Sequence, residues 1–135
     1  MPLSLGTVGH LGIAVRDPHK SARWWIKTLN FRRRFSFPGG VVVGSHDVDI
    51  LLDKGKPHPE VLDHVSFHLN NMRELRAALA ELRRKHVELE DPGDEIGSEG
   101  GNSPNMGLWF RDPDGYRWEL SVLAKPGRRS RRIRK

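Results

Sequence analysis

The chain contains an internal repeat, and this repeat limits the folds that it can adopt. Residues 8–17 read VGHLGIAVRD and residues 62–71 read LDHVSFHLNN, so each copy places a histidine in an alternating stretch that leads into a helical one. His64 follows His10 by 54 residues. A unit of that length is half a domain. The repeat therefore predicts two similar half-domains, with the two imidazoles facing a shared centre.

Length and composition favour one domain over residues 1–124, with a first repeat at 7–53 and a second at 61–123. A chain of 135 residues buries enough surface to fold without a disulfide or a structural metal ion. It has no cysteine, which excludes disulfides, thiolate metal sites and thiol nucleophiles. No leader-like segment or apolar run of membrane-spanning length occurs. We therefore expect a soluble, cytoplasmic protein that does not enter a membrane.

The net charge of +6 arises almost entirely from the end of the chain. Residues 125–135 carry seven cations and no acid, which leaves 16 basic and 17 acidic residues elsewhere. Such a segment predicts a basic, disordered tail. We expect no nucleic-acid role beyond weak electrostatic attraction by this tail.

The first repeat has the pattern of a βαβββ unit. Alternation predicts a strand from Thr7 to Val15, and the N-cap and first-turn pair Asp17 and Pro18 opens a helix that ends at about Leu29. Three segments rich in β-forming residues follow, separated by turn residues. They lie at 31–37, 41–44 and 48–53.

The second repeat has the same order. A strand at 63–69 precedes a helix that begins after Asn71, and the short segment at 87–89 follows in the place of the next strand. Residues 91–105 are polar and long for a connection, so they could form a mobile flap over a site. A hairpin then joins 106–111 to 116–123 through the turn at 112–115, where glycine takes the positive φ.

Strand parity brings a carboxylate and two imidazoles to equivalent faces. In the last strand Trp118 and Leu120 belong to the apolar phase, so Glu119 points away from the helix. His10 and His64 lie opposite their own helix-packed faces by the same argument. Two imidazoles and one carboxylate suit Fe, Mn, Co, Ni or Zn. A single strand histidine is usually structural, but the repeated position favours a metal site.

These motifs resemble the vicinal oxygen chelate superfamily, which includes glyoxalase I, extradiol dioxygenases, and fosfomycin-resistance and bleomycin-resistance proteins. The resemblance covers about residues 7–123 and includes DPDGYRWEL at 112–120. It implies an α+β fold in which two βαβββ repeats form a cupped, incompletely closed mixed β-barrel with the helices outside. It also implies a divalent metal ion held by His10, His64 and Glu119.

A fourth ligand would lie on the last strand of the first repeat, and Asp49 is the candidate there. Val48, Ile50 and Leu52 form the packed phase, so Asp49 faces the other way. The alternative is an edge-strand charge that meets water. His46 and Asp47 are the polar pair instead if a bulge shifts the register. Aspartate matches none of the named activities cleanly at this position.

Further polar residues share the predicted site face. His68 follows His64 at strand spacing and could transfer a proton, a role that Asp49 could also have, although a rim histidine is the plainer interpretation. The candidates for substrate binding are Ser66, Arg117, Ser121 and His46. Trp24 on the first helix would suit an interface, and the resemblance implies a homodimer.

The resemblance implies a metal-dependent enzyme that chelates a small molecule through adjacent oxygens and stabilises an enolate-like or catecholate-like intermediate. A glyoxalase-like lyase or isomerase and an extradiol-like dioxygenase both fit, with Fe, Mn, Ni or Zn as the ion. The alternative is a non-catalytic, bleomycin-resistance-like dimer that binds a small molecule or an antibiotic. The presence of His10, His64 and Glu119 in one chain favours the enzyme.

Overall fold

The structure is a computed structural model that describes residues 2–91 and 95–123. The chain divides into two compact units. The first comprises Met1–Pro59 together with Pro113–Gly115, and the second comprises Glu60–Asp112 together with Tyr116–Lys135. The predicted basic tail at 125–135 lies outside the described residues. In the part of the chain that the structure describes, no helix is long and apolar enough to cross a bilayer.

The first unit is a βαβββ unit, as the sequence predicts. Its four strands form one mixed sheet in the order β1-β4-β3-β2, and β1 and β4 are parallel. The elements are β1 (Leu11–Val15), α1 (Pro18–Leu29), β2 (Arg32–Phe37), β3 (Gly40–Ser45) and β4 (Val48–Lys54).

Packing in the first unit follows the apolar phase of its sequence. Val15, Ile50 and Leu52 are fully buried, and so is Trp25 of α1. The strand predicted from Thr7 begins only at Leu11, where pairing with β4 starts. Two glycines lie in residues 6–9, and glycine has a low tendency to form strands. The prediction was therefore wrong about residues 7–10, which include His10.

The second unit repeats this order. Its sheet has the order β5-β8-β7-β6, and β5 and β8 are parallel. The elements are β5 (Val65–His68), α2 (Met72–Arg84), β6 (Gly97–Ser98), β7 (Met106–Arg111) and β8 (Arg117–Val122). The turn before β8 places Gly115 at a φ of 94°, as predicted.

The second strand of the second unit, the first after its helix, is not where the sequence predicts it. The segment at 87–89 makes only an isolated bridge, between Leu89 and Phe110. The edge strand β6 lies instead in the stretch predicted as an unstructured connection, and it pairs with the start of β7. Backbone pairing at a sheet edge needs no apolar side chain, so the polar composition of this stretch gave no signal for β6.

The two units can be aligned residue by residue from their strand pairing. Leu11 pairs with Ile50 in the first unit and Val65 pairs with Trp118 in the second, so Leu51 is the counterpart of Glu119. Ile50 lies 39 residues after Leu11, whereas Trp118 lies 53 residues after Val65. The second unit therefore has 14 additional residues between its first and last strands.

The start of α2 offers a test of local stability. The Asn71 side chain caps the helix and accepts a hydrogen bond from the backbone N–H of Glu74 at 2.9 Å. We expect Asn71→Ala to reduce the free energy of unfolding by about 1 kcal/mol. Urea denaturation measures this change. Asn70→Ala is the control because it retains the backbone donor to Glu74, and an equal loss in both variants would contradict the cap.

Candidate functional site

The candidate site lies in the second unit, on the face of the sheet that carries Glu119. The pairing of β5 with β8 places Ser66 opposite Glu119 and His68 opposite Ser121. Trp118 belongs to the other face, where its ring stacks on Phe67. The Glu119 side chain is only 2% exposed. Sequence parity therefore predicted its face correctly, and the structure shows that this face is buried at Glu119.

His64 lies next to the buried carboxyl group of Glu119. Its Nε2 is 3.3 Å from Glu119 Oε1, although His64 precedes the first residue of β5. Its Nδ1 is 2.7 Å from Asp63 Oδ1. This hydrogen bond with His64 is the main reason why the pKa of Asp63 is lowered. The structure thus brings together two of the three predicted metal ligands.

A second carboxyl group, which the sequence pattern did not predict, contacts Glu119. Glu99 lies in the additional residues of the second unit, and its carboxyl group approaches that of Glu119 closely enough for the two to share a proton. The Glu99 Oε1 accepts a hydrogen bond from the Ser103 hydroxyl at 3.1 Å. The extra length of the second repeat was the available signal for such an addition.

The surroundings of Glu99 and Glu119 shift the pKa values of the two carboxyl groups in opposite directions. Burial, followed by the proximity of Glu99, raises the pKa of Glu119 to about 7. Burial acts to raise the pKa of Glu99 too, but hydrogen bonds with Glu119, Asn105 and Ser103 lower it overall. The pair therefore holds one shared proton up to near neutral pH.

One oxygen of Glu119 is both buried and unpaired. Its Oε2 has no hydrogen-bond partner in the described part of the chain. The absence of a side chain at Gly107 provides the space for this oxygen, because a Cβ there would overlap Oε2 and lie 3.2 Å from Cδ. An unpaired buried carboxyl oxygen is costly unless a proton or a cation is available to it.

Arg117 is held by several contacts on the same strand face. Its guanidinium donates to both carboxyl oxygens of Glu90, at 2.8 and 2.9 Å, and lies over the Trp109 ring at 5.5 Å. Its Nη1 is 3.6 Å from Asp63 Oδ1. The hydrogen bond with Glu90 is the main cause that raises the pKa of Arg117. These contacts occupy the guanidinium that the sequence suggested for substrate binding, a role that stays a prediction.

The remaining predicted residues of the second unit lie around this carboxyl pair. Ser66 Oγ is 2.7 Å from Ser121 Oγ. Ser66 also provides a hydrogen bond that lowers the pKa of Glu119, against the larger effects of burial and Glu99. His68 is exposed and interacts electrostatically with Glu99. Their predicted roles in substrate binding and proton transfer stay predictions.

In the first unit, the predicted site residues are more exposed. His10 is exposed and precedes β1. Asp49 Oδ1 accepts a hydrogen bond from Arg34 Nε at 3.1 Å, and Arg34 also donates to the carbonyl of His46 at 2.9 Å. His46 has a φ of 53°, in the turn before β4. The counterpart of Glu119 in this unit is Leu51, which cannot bind a metal ion.

The chemistry of the donor groups fits part of a metal site. His64 Nε2 and the unpaired Glu119 Oε2 belong to the ligand types that bind divalent transition metals. Within residues 2–91 and 95–123, however, no group of three or more His, Cys, Asp or Glu side chains is arranged to hold a metal ion. The second unit therefore offers two ligands, and the assignments of His10 and Asp49 stay predictions.

The sequence of the chain matches one protein family over most of its length. The profile of the "Glyoxalase/Bleomycin resistance protein/Dioxygenase superfamily" matches residues 7–120. The chain belongs to this superfamily. The resemblance drawn from the two histidine motifs is thereby confirmed, and so is the α+β fold with two βαβββ units.

Solved structures of the superfamily share this fold at low sequence identity. A glyoxalase/bleomycin resistance protein/dioxygenase from Nocardioides is 16% identical and has a TM-score of 0.73, covering 92% of this chain and 87% of its own. A lactoylglutathione lyase from Agrobacterium tumefaciens is 11% identical and has a TM-score of 0.70, with coverages of 87% and 94%. At these identities the likeness shows the fold alone.

A third superfamily member gives the same result. The protein from Sphaerobacter thermophilus is 20% identical and has a TM-score of 0.65, covering 89% of this chain and 99% of its own. No curated protein sequence matches the chain. Any activity is therefore inferred from the site residues and not from a single relative.

Proposed function

We propose that this chain is a divalent-metal-dependent enzyme, a lyase or isomerase of the glyoxalase type or a dioxygenase, with His64 and Glu119 as metal ligands. The observation that carries the proposal is the buried carboxyl group of Glu119, whose Oε1 lies 3.3 Å from His64 Nε2 and whose Oε2 receives no hydrogen bond from a donor in the described residues. A bound cation would neutralise the two carboxyl groups that now share one proton. Superfamily membership supports a divalent ion, and the ligand types suit Fe, Mn, Ni or Zn.

The metal, when bound, would act as a Lewis acid toward adjacent oxygens of a small-molecule substrate. The chain's own residues would transfer protons and orient the substrate. Glu99 is the carboxyl group of lower pKa next to the ligand, so it can accept a proton from substrate. Ser66 and Ser121 present paired hydroxyl groups on the same face, which can orient a substrate oxygen.

His10 is proposed as a third ligand because it occupies the position in the first repeat that His64 occupies in the second. Two imidazoles and one carboxylate would leave open positions for substrate, as in oxygenases that use iron. The repeated histidine motif in the sequence supports this assignment. We also propose a homodimer, which light scattering of the purified protein tests directly.

Metal titration of the full chain, purified without a histidine tag, tests the proposed function. We expect Ni²⁺, Zn²⁺, Mn²⁺ or Fe²⁺ to bind at about one equivalent per chain in calorimetry, and His64→Ala to weaken binding by at least ~100-fold. Circular dichroism verifies that the variant is folded. Less than about a tenth of an equivalent with every ion would overturn the proposal and favour a non-catalytic binding protein.

Asp49 gives a separate prediction. Because Arg34 already binds its Oδ1 and Leu51 is the counterpart of Glu119, we expect Asp49→Asn to change metal affinity by less than about threefold. Asp47→Asn, which removes an exposed charge nearby, is the matched control. A loss comparable to that of His64→Ala would instead establish Asp49 as the fourth ligand.

A further inference from the structure

We infer that Asp63, held in place by Arg117, is a positioning residue that fixes the tautomer and orientation of the His64 ring. The inference deepens the proposed function and rests on it for the metal. Asp63 and His64 are adjacent in sequence, yet their side chains meet at 2.7 Å through Oδ1 and Nδ1. The tautomer itself is a property of the metal-free chain and is measured without any ion.

The hydrogen bond assigns the proton on the imidazole ring. A carboxylate can only accept, so Nδ1 of His64 must donate to it. Nε2 of the neutral ring then keeps its lone pair and faces Glu119 Oε1 at 3.3 Å. Only a ring nitrogen without a proton can bind a metal ion, so this tautomer leaves Nε2 available as a ligand.

Asp63 alone would be a weak orienting group, since its side chain is 87% exposed. The adjacent guanidinium of Arg117 limits its motion, because Nη1 lies 3.6 Å from the same Oδ1. Arg117 is in turn held by the paired hydrogen bonds to Glu90 and by the Trp109 ring. A planar guanidinium with several fixed partners orients a carboxylate in a way that a flexible ammonium group does not.

The first repeat contains no equivalent of this arrangement. Gly9 stands before His10, where Asp63 stands before His64, and Asp49 is the counterpart of Arg117 in the strand pairing. The acceptor and the cation that orients it thus both belong to the second unit only. Because of this asymmetry, the tautomer is fixed before metal binding at His64 and not at His10.

Long-range nitrogen–proton NMR correlation of His64, which reports the protonation and the tautomer of the ring directly, tests the inference in the metal-free chain. We expect the Nδ1–H tautomer in the native chain and an increased Nε2–H population in Asp63→Ala. Asp63→Asn should restore most of the Nδ1–H form, because its amide oxygen can still accept. Arg117→Met should give an intermediate population with the apolar stem preserved.

Metal affinity is the second readout. We expect Asp63→Ala to weaken Ni²⁺ or Zn²⁺ binding by about 10-fold to 100-fold, and Arg117→Met by less. Asp53→Ala, which removes an exposed carboxylate from the end of β4, is the charge-matched control and should change neither readout. If neither ion binds the native chain, the proposed function fails, while the tautomer result still decides the role of Asp63. An unchanged tautomer in Asp63→Ala would overturn the inference, whatever the metal result.

Discussion

Glu119→Gln is expected to abolish metal binding and, at the same time, to stabilise the metal-free protein at pH 8. The amide is nearly isosteric with the carboxyl group but carries no charge, so it is a poor ligand for a divalent ion. We expect affinity to fall by at least ~100-fold. Calorimetric titration and urea denaturation of the same preparation measure the two effects.

The stabilisation follows from the direction of the pKa shift. The folded state holds a proton on Glu119 up to a pKa of about 7, whereas the unfolded chain releases it near the ordinary glutamate pKa of 4.5. The folded state therefore binds more protons between these values, and its stability decreases as the pH rises through this window. Above it, the folded chain carries a buried charge beside Glu99.

The amide introduced by Glu119→Gln does not titrate, so the variant should lose this part of the pH dependence. Its N–H can donate to Glu99 in place of the acidic proton. We expect the variant to be more stable than the native chain at pH 8 by on the order of 1–2 kcal/mol, and of similar stability at pH 5. Equal stability curves for the two proteins, or metal affinity retained in the variant, would contradict the assignment of Glu119.

Proton release from the carboxyl pair also links metal binding to pH. A metal ion at Glu119 must displace the shared proton, so the affinity of the native chain should increase as the pH rises from about 5 toward about 7. Calorimetry in buffers of different ionisation enthalpy measures the released proton directly.

Sequence patterns correctly predicted the strands and helix caps that depend only on neighbouring residues. The alternation of Ile13 and Val15 in β1 and the helix cap at Asp17 follow from nearest-neighbour chemistry, and the structure confirms both. The position of Glu119 on its face follows from strand parity in the same way. The edge strand at Gly97–Ser98 could not be predicted, because backbone pairing with β7 forms it without any apolar signal.

The sequence predicted the site residues on or next to strands, but not those in the connections. Glu119 was predicted because parity relates the residues of a strand. His64 lies just before β5, and the repeated motif identified it. Glu99 was missed, because a connection has no periodicity that relates its side chains to a sheet face. Asp63 and Glu90 were missed for a related reason, since their partners are set by side-chain geometry around Arg117. The sequence thus predicted ligand candidates but not the groups that orient them.

Gly107→Ala tests the space around Glu119 without changing any charged group. A methyl group at residue 107 would overlap Oε2 of Glu119, so the carboxyl group must rotate away or β7 must shift. We expect metal affinity to fall by at least about tenfold and the free energy of unfolding to fall by about 1–3 kcal/mol. Calorimetry and urea denaturation measure these two quantities.

Gly97→Ala is the matched control, because Gly97 pairs with Gly107 across β6 and β7 and a Cβ there would meet nothing within 4 Å. The two substitutions add the same methyl group to paired positions of one sheet. If Gly107→Ala weakens metal binding and Gly97→Ala does not, the metal ion depends on Oε2 of Glu119 in its present position. Equal metal affinity in both variants would show that the carboxyl group can bind from another rotamer, and the space left by Gly107 would then have only a structural role.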